Sequence, residues 1–397
     1  MDYIKLETLL NTSKNIINTH LKVIKAKGED FNIFSILNME TNETKTHSGM
    51  LVALLNPKGN HYHGTKFLGL FLKEIGYDYT NENLNQVLVK AEYHLGTISK
   101  DYENGGFIDI LILFPSGKTI TIENKIHAGD QPKQMYRYSL FNKGKSSLYY
   151  LNLFGDKPSK NSLHLLTIDD YHIISYSNEI LNWLEQCLSV VDQGSIIETS
   201  IKQYQIVLKK LTHTMDNKLE KQFNTLILEN LDEAKYIHAN YQKAVNSVRE
   251  KLRFAVLKKI NQMSLPVNAR LGNDINSNYS QLWLSSGELH DKNVQFGIES
   301  FSGKGNTEGR MFIGILDKKR EYNAISDGDR RLNSFWPIIR YLKTTEGNPL
   351  NLTSTRILEK LSSDANYFEQ MVNSISNETK NFVETYHTHY FLNQKTK

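Results

Sequence analysis

The chain has 397 residues, 39% of them hydrophobic and 23% charged, with a formal net charge of +4. That length buries ample core and points to two or three domains, while the composition excludes a disordered or fibrous chain. No apolar run reaches membrane-spanning length, the first residues lack the basic-then-apolar order of a secretion signal, and the single cysteine, Cys187, excludes internal disulfides and cysteine-rich zinc sites.

These features predict a cytoplasmic protein whose mild basicity permits nucleic-acid binding without requiring it. Residues 3–38 carry Leu6, Leu9, Leu10, Ile16, Ile17, Leu21 and Ile24 at helical spacing, with a break at Lys27-Gly28-Glu29-Asp30 before a short apolar segment, Phe31 to Leu37. Another helix begins near Asn42, carries Glu43, His47, Leu51, Leu54 and Leu55, and stops at Pro57-Lys58-Gly59. Glu43 and His47 lie four apart and would share a helix face. His61-Tyr62-His63 has a metal-ligand spacing but lies in a glycine-flanked loop with no third ligand nearby, so loop packing or a phosphate contact is the better reading. Residues 65–76 form a helix that Gly76 closes. Val87 to Leu95 alternates as a strand, and its Glu92 could face the site, though pairing with a neighbour is the better reading.

Phe107 to Leu113 is a strand of apolar, β-branched residues interrupted only by Asp109. Pro115-Ser116-Gly117 supplies a three-residue hairpin loop, a type I turn closed by a glycine bulge. That loop sets Phe114 opposite Lys118 and, counting back, Asp109 opposite Glu123. Side chains alternate along a strand, so Glu123, Lys125 and Asp109 gather on one face of a mostly apolar sheet. An exposed cross-strand pair is the bland alternative. It fits poorly with an acid inside the run Ile-Asp-Ile-Leu-Ile-Leu, where a buried charge needs a cation or a partner. The helix after Lys125 places Gln134 and Tyr138 one turn apart, pointing together.

Residues 146–154 and 171–176 read as strands, and residues 178–188 and 196–211 as helices. Together residues 1–215 make an α/β unit of about five strands flanked by helices. Residues 216–397 read as a second, α+β domain. It has one long helix over 217–262, strands at 281–284, 294–299 and 310–316, and closing helices at 336–342 and 356–390. Lys318-Lys319-Arg320 and Arg330-Arg331 are basic clusters compatible with a nucleic-acid backbone, though a solvated surface explains any one of them.

An acid on one strand followed by Glu-x-Lys on the next resembles the PD-(D/E)XK nuclease superfamily. Ile108-Asp109 stands where that family often has Pro-Asp, and Glu123-Asn124-Lys125 stands as its E-x-K. Gln134-Met135-Tyr136-Arg137-Tyr138 matches the Q-x-x-x-Y helix of the branch related to RecB-type nucleases. Glu43-Thr44-Lys45-Thr46-His47-Ser48, followed by Leu54-Leu55-Asn56-Pro57, is similar to the first-helix region of an uncharacterised bacterial branch. Each motif alone is weak, and their order on one strand–turn–strand–helix frame is the specific signal.

The resemblance implies a restriction-endonuclease-like core, a mixed central sheet flanked by helices. It implies Mg²⁺ or Mn²⁺ held by Asp109, Glu123 and the backbone carbonyl of Asn124, since hard oxygen ligands favour those ions. Glu43 is either an acid reaching that metal from the first helix or an acid favoured by the helix dipole, with Glu40 as the fallback. Lys125 would sit beside the attacking water, with an ammonium that titrates unusually and aids proton transfer. Gln134 and Tyr138 would support the water or a phosphate. Arg137, Lys133 and His47 are candidate nucleic-acid contacts. The expected function is hydrolysis of DNA phosphodiesters, in defence against foreign DNA or in repair. The alternatives are a non-catalytic nucleic-acid-binding or assembly protein and an RNA-directed nuclease. Residues 216–397 are the expected place for substrate, for a homodimer contact or for a partner protein.

Overall fold

A computed structural model describes residues 3–215, 217–286, 294–307, 309–317 and 328–392. The chain divides into two units, Met1–Leu231 and Asp232–Lys397. In the first, α1 (Tyr3–Lys27) and α2 (Ile33–Ile36) precede a π-helical segment (Glu43–Ser48), α3 (Gly49–Leu55) and α4 (Lys66–Glu74). Five strands follow: β1 (Leu88–His94), β2 (Phe107–Leu113), β3 (Thr119–Asn124), β4 (Ser146–Asn152) and β5 (His172–Ser175). Between the later strands lie α5 (Gln134–Ser139) and α6 (Lys160–Leu163), and after them α7 (Leu181–Leu188), α8 (Ile196–Thr212) and α9 (Asn217–Glu229). The strands are ordered β1-β2-β3-β4-β5, with antiparallel β1–β2 and β2–β3 pairs and parallel β3–β4 and β4–β5 pairs. This is the mixed sheet expected from the sequence.

The β2–β3 hairpin closes as its turn chemistry dictates. The Phe114 amide donates to the Lys118 carbonyl at 3.0 Å, and Gly117 takes a left-handed φ of 83° that a side chain would resist. The register Ile110↔Ile122, Ile112↔Ile120 follows, and continuing it sets Asp109 opposite Glu123. One face of the sheet carries Ile110, Ile112, Ile120, Ile122, Tyr149 and Leu151 into a core with α3, α4, α7 and α8. There Trp183 is fully buried and donates its indole N–H to the Phe67 carbonyl at 2.9 Å, which satisfies the ring's polar end. The opposite face packs Leu111, Leu148 and Tyr150 against Met135 and Tyr138 of α5.

The second unit contains α10 (Leu231–Asn261), β6 (Asn268–Leu271), β7 (Leu282–Ser285), β8 (Val294–Glu299), β9 (Phe312–Asp317), β10 (Ile338–Tyr341), α11 (Thr355–Ser363) and α12 (Ala365–Leu392). Its antiparallel sheet runs β10-β9-β8-β7-β6. Three expectations are corrected here. The segment at 336–342 is not a helix: β-branched Ile338 and Ile339 pair with β9 as a strand. The long helix at 217–262 is broken at Asn230, whose amide donates to Ile227. Its shorter first part, α9, packs on α1, so the unit boundary falls about one helix later than residue 215. The strand β6 carries too few apolar residues to be seen in the sequence. Lys318-Lys319-Arg320 lies outside the described residues. Among the described residues no helix is long and apolar enough to cross a membrane.

On the face of this sheet away from the main core, Trp283 and Trp336 stack with centroids 5.8 Å apart above two glycines, Gly297 and Gly314. A Cβ on Gly297 would lie 2.7 Å from the Trp283 ring and 2.8 Å from the Trp336 ring. Gly297→Ala is therefore expected to cost about 1–3 kcal/mol through overpacking. Denaturant unfolding followed by tryptophan fluorescence measures it, and an unshifted midpoint would contradict the packing described.

Candidate active site

Asp109, Glu123 and Lys125 meet on the α5 side of the first sheet. Glu123 is 1% exposed and Lys125 8%, while Asp109 is half-buried. The Lys125 ammonium lies 2.6 Å from Glu123 Oε1, an ion pair without hydrogen-bond angles, and Glu123 Oε2 accepts no hydrogen bond. Asp109 Oδ2 accepts the Asn124 amide at 2.6 Å, so the residue between Glu123 and Lys125 ties the two strands together.

Burial pushes the Glu123 carboxyl up to about 7, with the Lys125 charge opposing the rise. Burial and then the Glu123 charge hold Asp109 well above the usual carboxylate range. Burial alone would lower the Lys125 ammonium, but Glu123, Asp109 and Glu43 outweigh it and the net shift is upward. The upward direction favours a Lys125 that holds its proton, which suits charge stabilisation better than proton transfer.

Glu43 lies in the first turn of its helical segment, as one of the two expectations had it, and also reaches the loop after Lys125. Its Oε1 accepts three successive amides, from Ile126 at 2.7 Å, His127 at 3.0 Å and Ala128 at 2.9 Å. It clamps the loop that follows Lys125, and any cation would have to draw on its other oxygen. The segment carrying it is π-helical, and His47, four residues on, feels the Glu43 charge but does not share its partners. His47 turns inward instead. It is fully buried, with Nδ1 3.1 Å from the Tyr204 hydroxyl and Nε2 2.8 Å from the Glu40 carbonyl, and burial pushes its pKa down to about 4. Glu40 itself pairs with Lys210 at 2.5 Å.

Arg137 is likewise no surface cation. It is 2% exposed and donates to the carbonyls of Gly105, Tyr102 and Pro132 and to Gln131 Oε1, fastening the loop before β2 onto α5. His47 and Arg137 were expected at the nucleic acid, and their polar atoms are spent inside the fold. Lys133 stays partly exposed, paired with Glu103 at 2.6 Å. Tyr138 donates its hydroxyl to the Phe107 carbonyl at 2.6 Å, two residues before Asp109, and Gln134 Nε2 lies 3.5 Å from that hydroxyl. Burial and then the Glu123 charge push the Tyr138 phenol up to about 12.

Asn124 is held by a network no sequence pattern announces. Its Nδ2 donates to Ser48 Oγ at 3.0 Å and its Oδ1 accepts the Tyr176 hydroxyl at 2.8 Å. Beside Lys125 opens a cleft of about 360 Å³ lined by His127, Tyr150, Asn152, Asp156 and His213. His61 and His63 lie together against Phe67, with His61 Nε2 on the Asn56 carbonyl at 2.8 Å, which is loop packing.

Among the described residues, no three His, Cys, Asp or Glu side chains already converge as a metal-holding group. The donor set nevertheless suits a hard divalent cation: two carboxylates, one with a buried oxygen lacking any hydrogen bond, and a nearby strand carbonyl.

The raised Glu123 pKa means the folded chain holds that proton more tightly than the unfolded chain does. Its stabilising contribution is full below the ordinary value of 4.5 and is lost as pH rises through about 7. In EDTA, the melting temperature of the wild type should fall relative to that of Glu123→Gln between about pH 5 and pH 8. Parallel melting curves across that range would contradict the assignment.

Residues 31–210 match the family model described as the PD-(D/E)XK nuclease superfamily. Among curated proteins, the heat-inducible transcription repressors HrcA of Staphylococcus aureus strains JH9 and Newman are similar at 22% identity over 235 residues, 56% of this chain and 68% of each repressor. That likeness carries no assignment. No solved structure matches the chain significantly. The family match, the mixed sheet and the Asp109, Glu123-Asn124-Lys125 and Gln134–Tyr138 elements all fall in one segment, residues 31–210, which supports the resemblance to the PD-(D/E)XK nuclease superfamily.

Proposed function

We propose that this chain is a divalent-cation-dependent nuclease that hydrolyses DNA phosphodiesters in the cytoplasm, in defence against foreign DNA or in repair. The observation that carries the reading is the buried Asp109–Glu123–Lys125 cluster beside an open cleft. Asp109, Glu123 and the Asn124 carbonyl are the groups to hold Mg²⁺ or Mn²⁺. Such an ion, when bound, neutralises developing phosphoryl charge and activates water.

The protein's own residues supply the remaining work. Lys125 keeps a permanent positive charge beside the carboxylates and is suited to stabilise phosphoryl oxygens rather than to accept a proton. Glu43 fixes the amides after Lys125, and Tyr138, with Gln134 beside it, steadies the backbone before Asp109. These are positioning roles. In the second unit, Arg310 and Arg330 are exposed and lie over the Tyr341 ring at 5.5 and 4.5 Å, which supports a part in holding substrate or a partner, or in pairing two copies.

Plasmid, linear and single-stranded DNA incubated with Mg²⁺, Mn²⁺ or EDTA test the reading. Cleavage is expected only with the ions. Asp109→Asn and Glu123→Gln should abolish it, and Lys125→Ala should lower it on the order of 10²–10³-fold, with folding retained. Undiminished cutting by these variants would overturn the assignment. Cation-dependent thermal stabilisation without cleavage of any nucleic acid would favour a binding protein that keeps the nuclease fold.

A further inference from the structure

We propose that the cleft beside Lys125 is a pocket for one unpaired nucleobase, with Phe154 as its stacking face, and that the strand it takes is single-stranded DNA. The inference rests on the nuclease reading above and names the substrate class of the same site.

The pocket stands at the carboxyl ends of two parallel strands, where open α/β sheets take their ligands. The β3–β4 pairing reaches Asn124↔Leu151, and the Lys125 amide then donates to the Leu151 carbonyl at 2.8 Å. Lys125 therefore leaves β3 level with Asn152, the last residue of β4, and Phe154 follows two residues on. Asn152 fixes the chain after it. Its Oδ1 accepts the amides of Phe154, Gly155 and Asp156 at 3.1, 2.8 and 3.0 Å, and its Nδ2 donates to the Asp156 carbonyl at 2.6 Å. Gly155 supplies the left-handed φ of 81° that this turn requires. The turn so fastened holds out a phenyl ring that is 54% exposed. A lone apolar side chain on a surface needs no explanation, but this one lines the cleft that holds Lys125.

The lining suits a base better than a phosphate. At about 360 Å³ the cleft lies at the small end of ligand pockets, about 300–1,000 Å³, with room for one nucleoside-sized group and not for a duplex. Phe154, Leu153 and Leu211 make it apolar, and His127 and His213 bring flat imidazole rings. The polar ends of two other lining residues are engaged within the fold. Tyr150 donates its hydroxyl to Asp130 at 2.9 Å, and the Asn152 amide is used by the turn. The Asp156 carboxylate, on a residue of the same lining, repels a phosphate and leaves a neutral ring unaffected. A strand entering here would set its phosphate at the Lys125 end and lay a base on Phe154. A paired base would first have to leave its helix, so an unpaired strand enters at lower cost.

Fluorescence anisotropy of labelled oligonucleotides with the full chain tests this, in EDTA to prevent cation-dependent cutting. The ligands are a single-stranded dT oligomer, the corresponding duplex, and an abasic oligomer of equal length that carries the same phosphates without bases. Wild type should bind the dT oligomer more tightly than the other two. Phe154→Ala should weaken dT binding on the order of 10- to 100-fold, as loss of one base–aromatic stack does, and leave abasic binding unchanged. Phe154→Trp should keep the wild-type dT affinity, and both variants, altered at an exposed ring, should melt with wild type. Equal dT affinity in wild type and Phe154→Ala would overturn the inference, as would a wild type that binds the duplex or the abasic oligomer as tightly as dT. Base-dependent binding through Phe154, with no cleavage under Mg²⁺ or Mn²⁺, would overturn the nuclease reading alone and leave the pocket as a single-strand-binding site.

Discussion

A buried carboxylate and a buried ammonium, with a half-buried carboxylate on the neighbouring strand, set the terms for the rest of the first unit. Each charge loses its water on folding, and the 2.6 Å contact between Lys125 and Glu123 recovers only part of that loss. The remainder is visible as raised carboxyl pKa values and as an oxygen with nothing to accept. Hydrophobic residues of similar volume would be more stable in these positions. The cluster is therefore hard to explain by packing and straightforward to explain by a ligand that carries positive charge.

The surroundings make sense as a frame that prevents this cluster from relaxing. The Asn124 amide holds Asp109 while the Asn124 side chain is pinned by Ser48 and Tyr176, so the backbone between Glu123 and Lys125 has little freedom. Glu43 gathers the next three amides onto one oxygen. Arg137 and Tyr138 fasten the approach to β2 from the opposite side. Satisfied polar networks of this kind rigidify a core, which is what preorganised chemistry requires.

How much of this could be read from the residues follows from how local each signal is. The β2–β3 register was legible because Pro115-Ser116-Gly117 fixes the loop length, and the register alone brings Asp109 to Glu123. The inward turns of His47 and Arg137 were not legible. Their partners, Tyr204 and the carbonyls at 102–105, are distant in sequence, and nothing in a surface-type side chain announces that its donors will be used internally. In the second unit, Ile338 and Ile339 fit a buried helix or a buried strand equally well until β9 is there to pair with them.

The electrostatics divide labour among groups that a motif treats as one. The carboxylates beside Lys125 raise its ammonium, which favours a contribution through orientation and charge stabilisation. Glu123, brought up to about 7 by burial, is the member whose charge answers to what arrives. A cation entering beside it would compete with a proton for the same oxygens, which couples ion binding to pH through this chain's own packing. The same burial that makes the site costly to fold thus makes it responsive: a solvated carboxylate pair would bind a cation weakly and feel it little, whereas one stripped of water has few other ways to satisfy its charge.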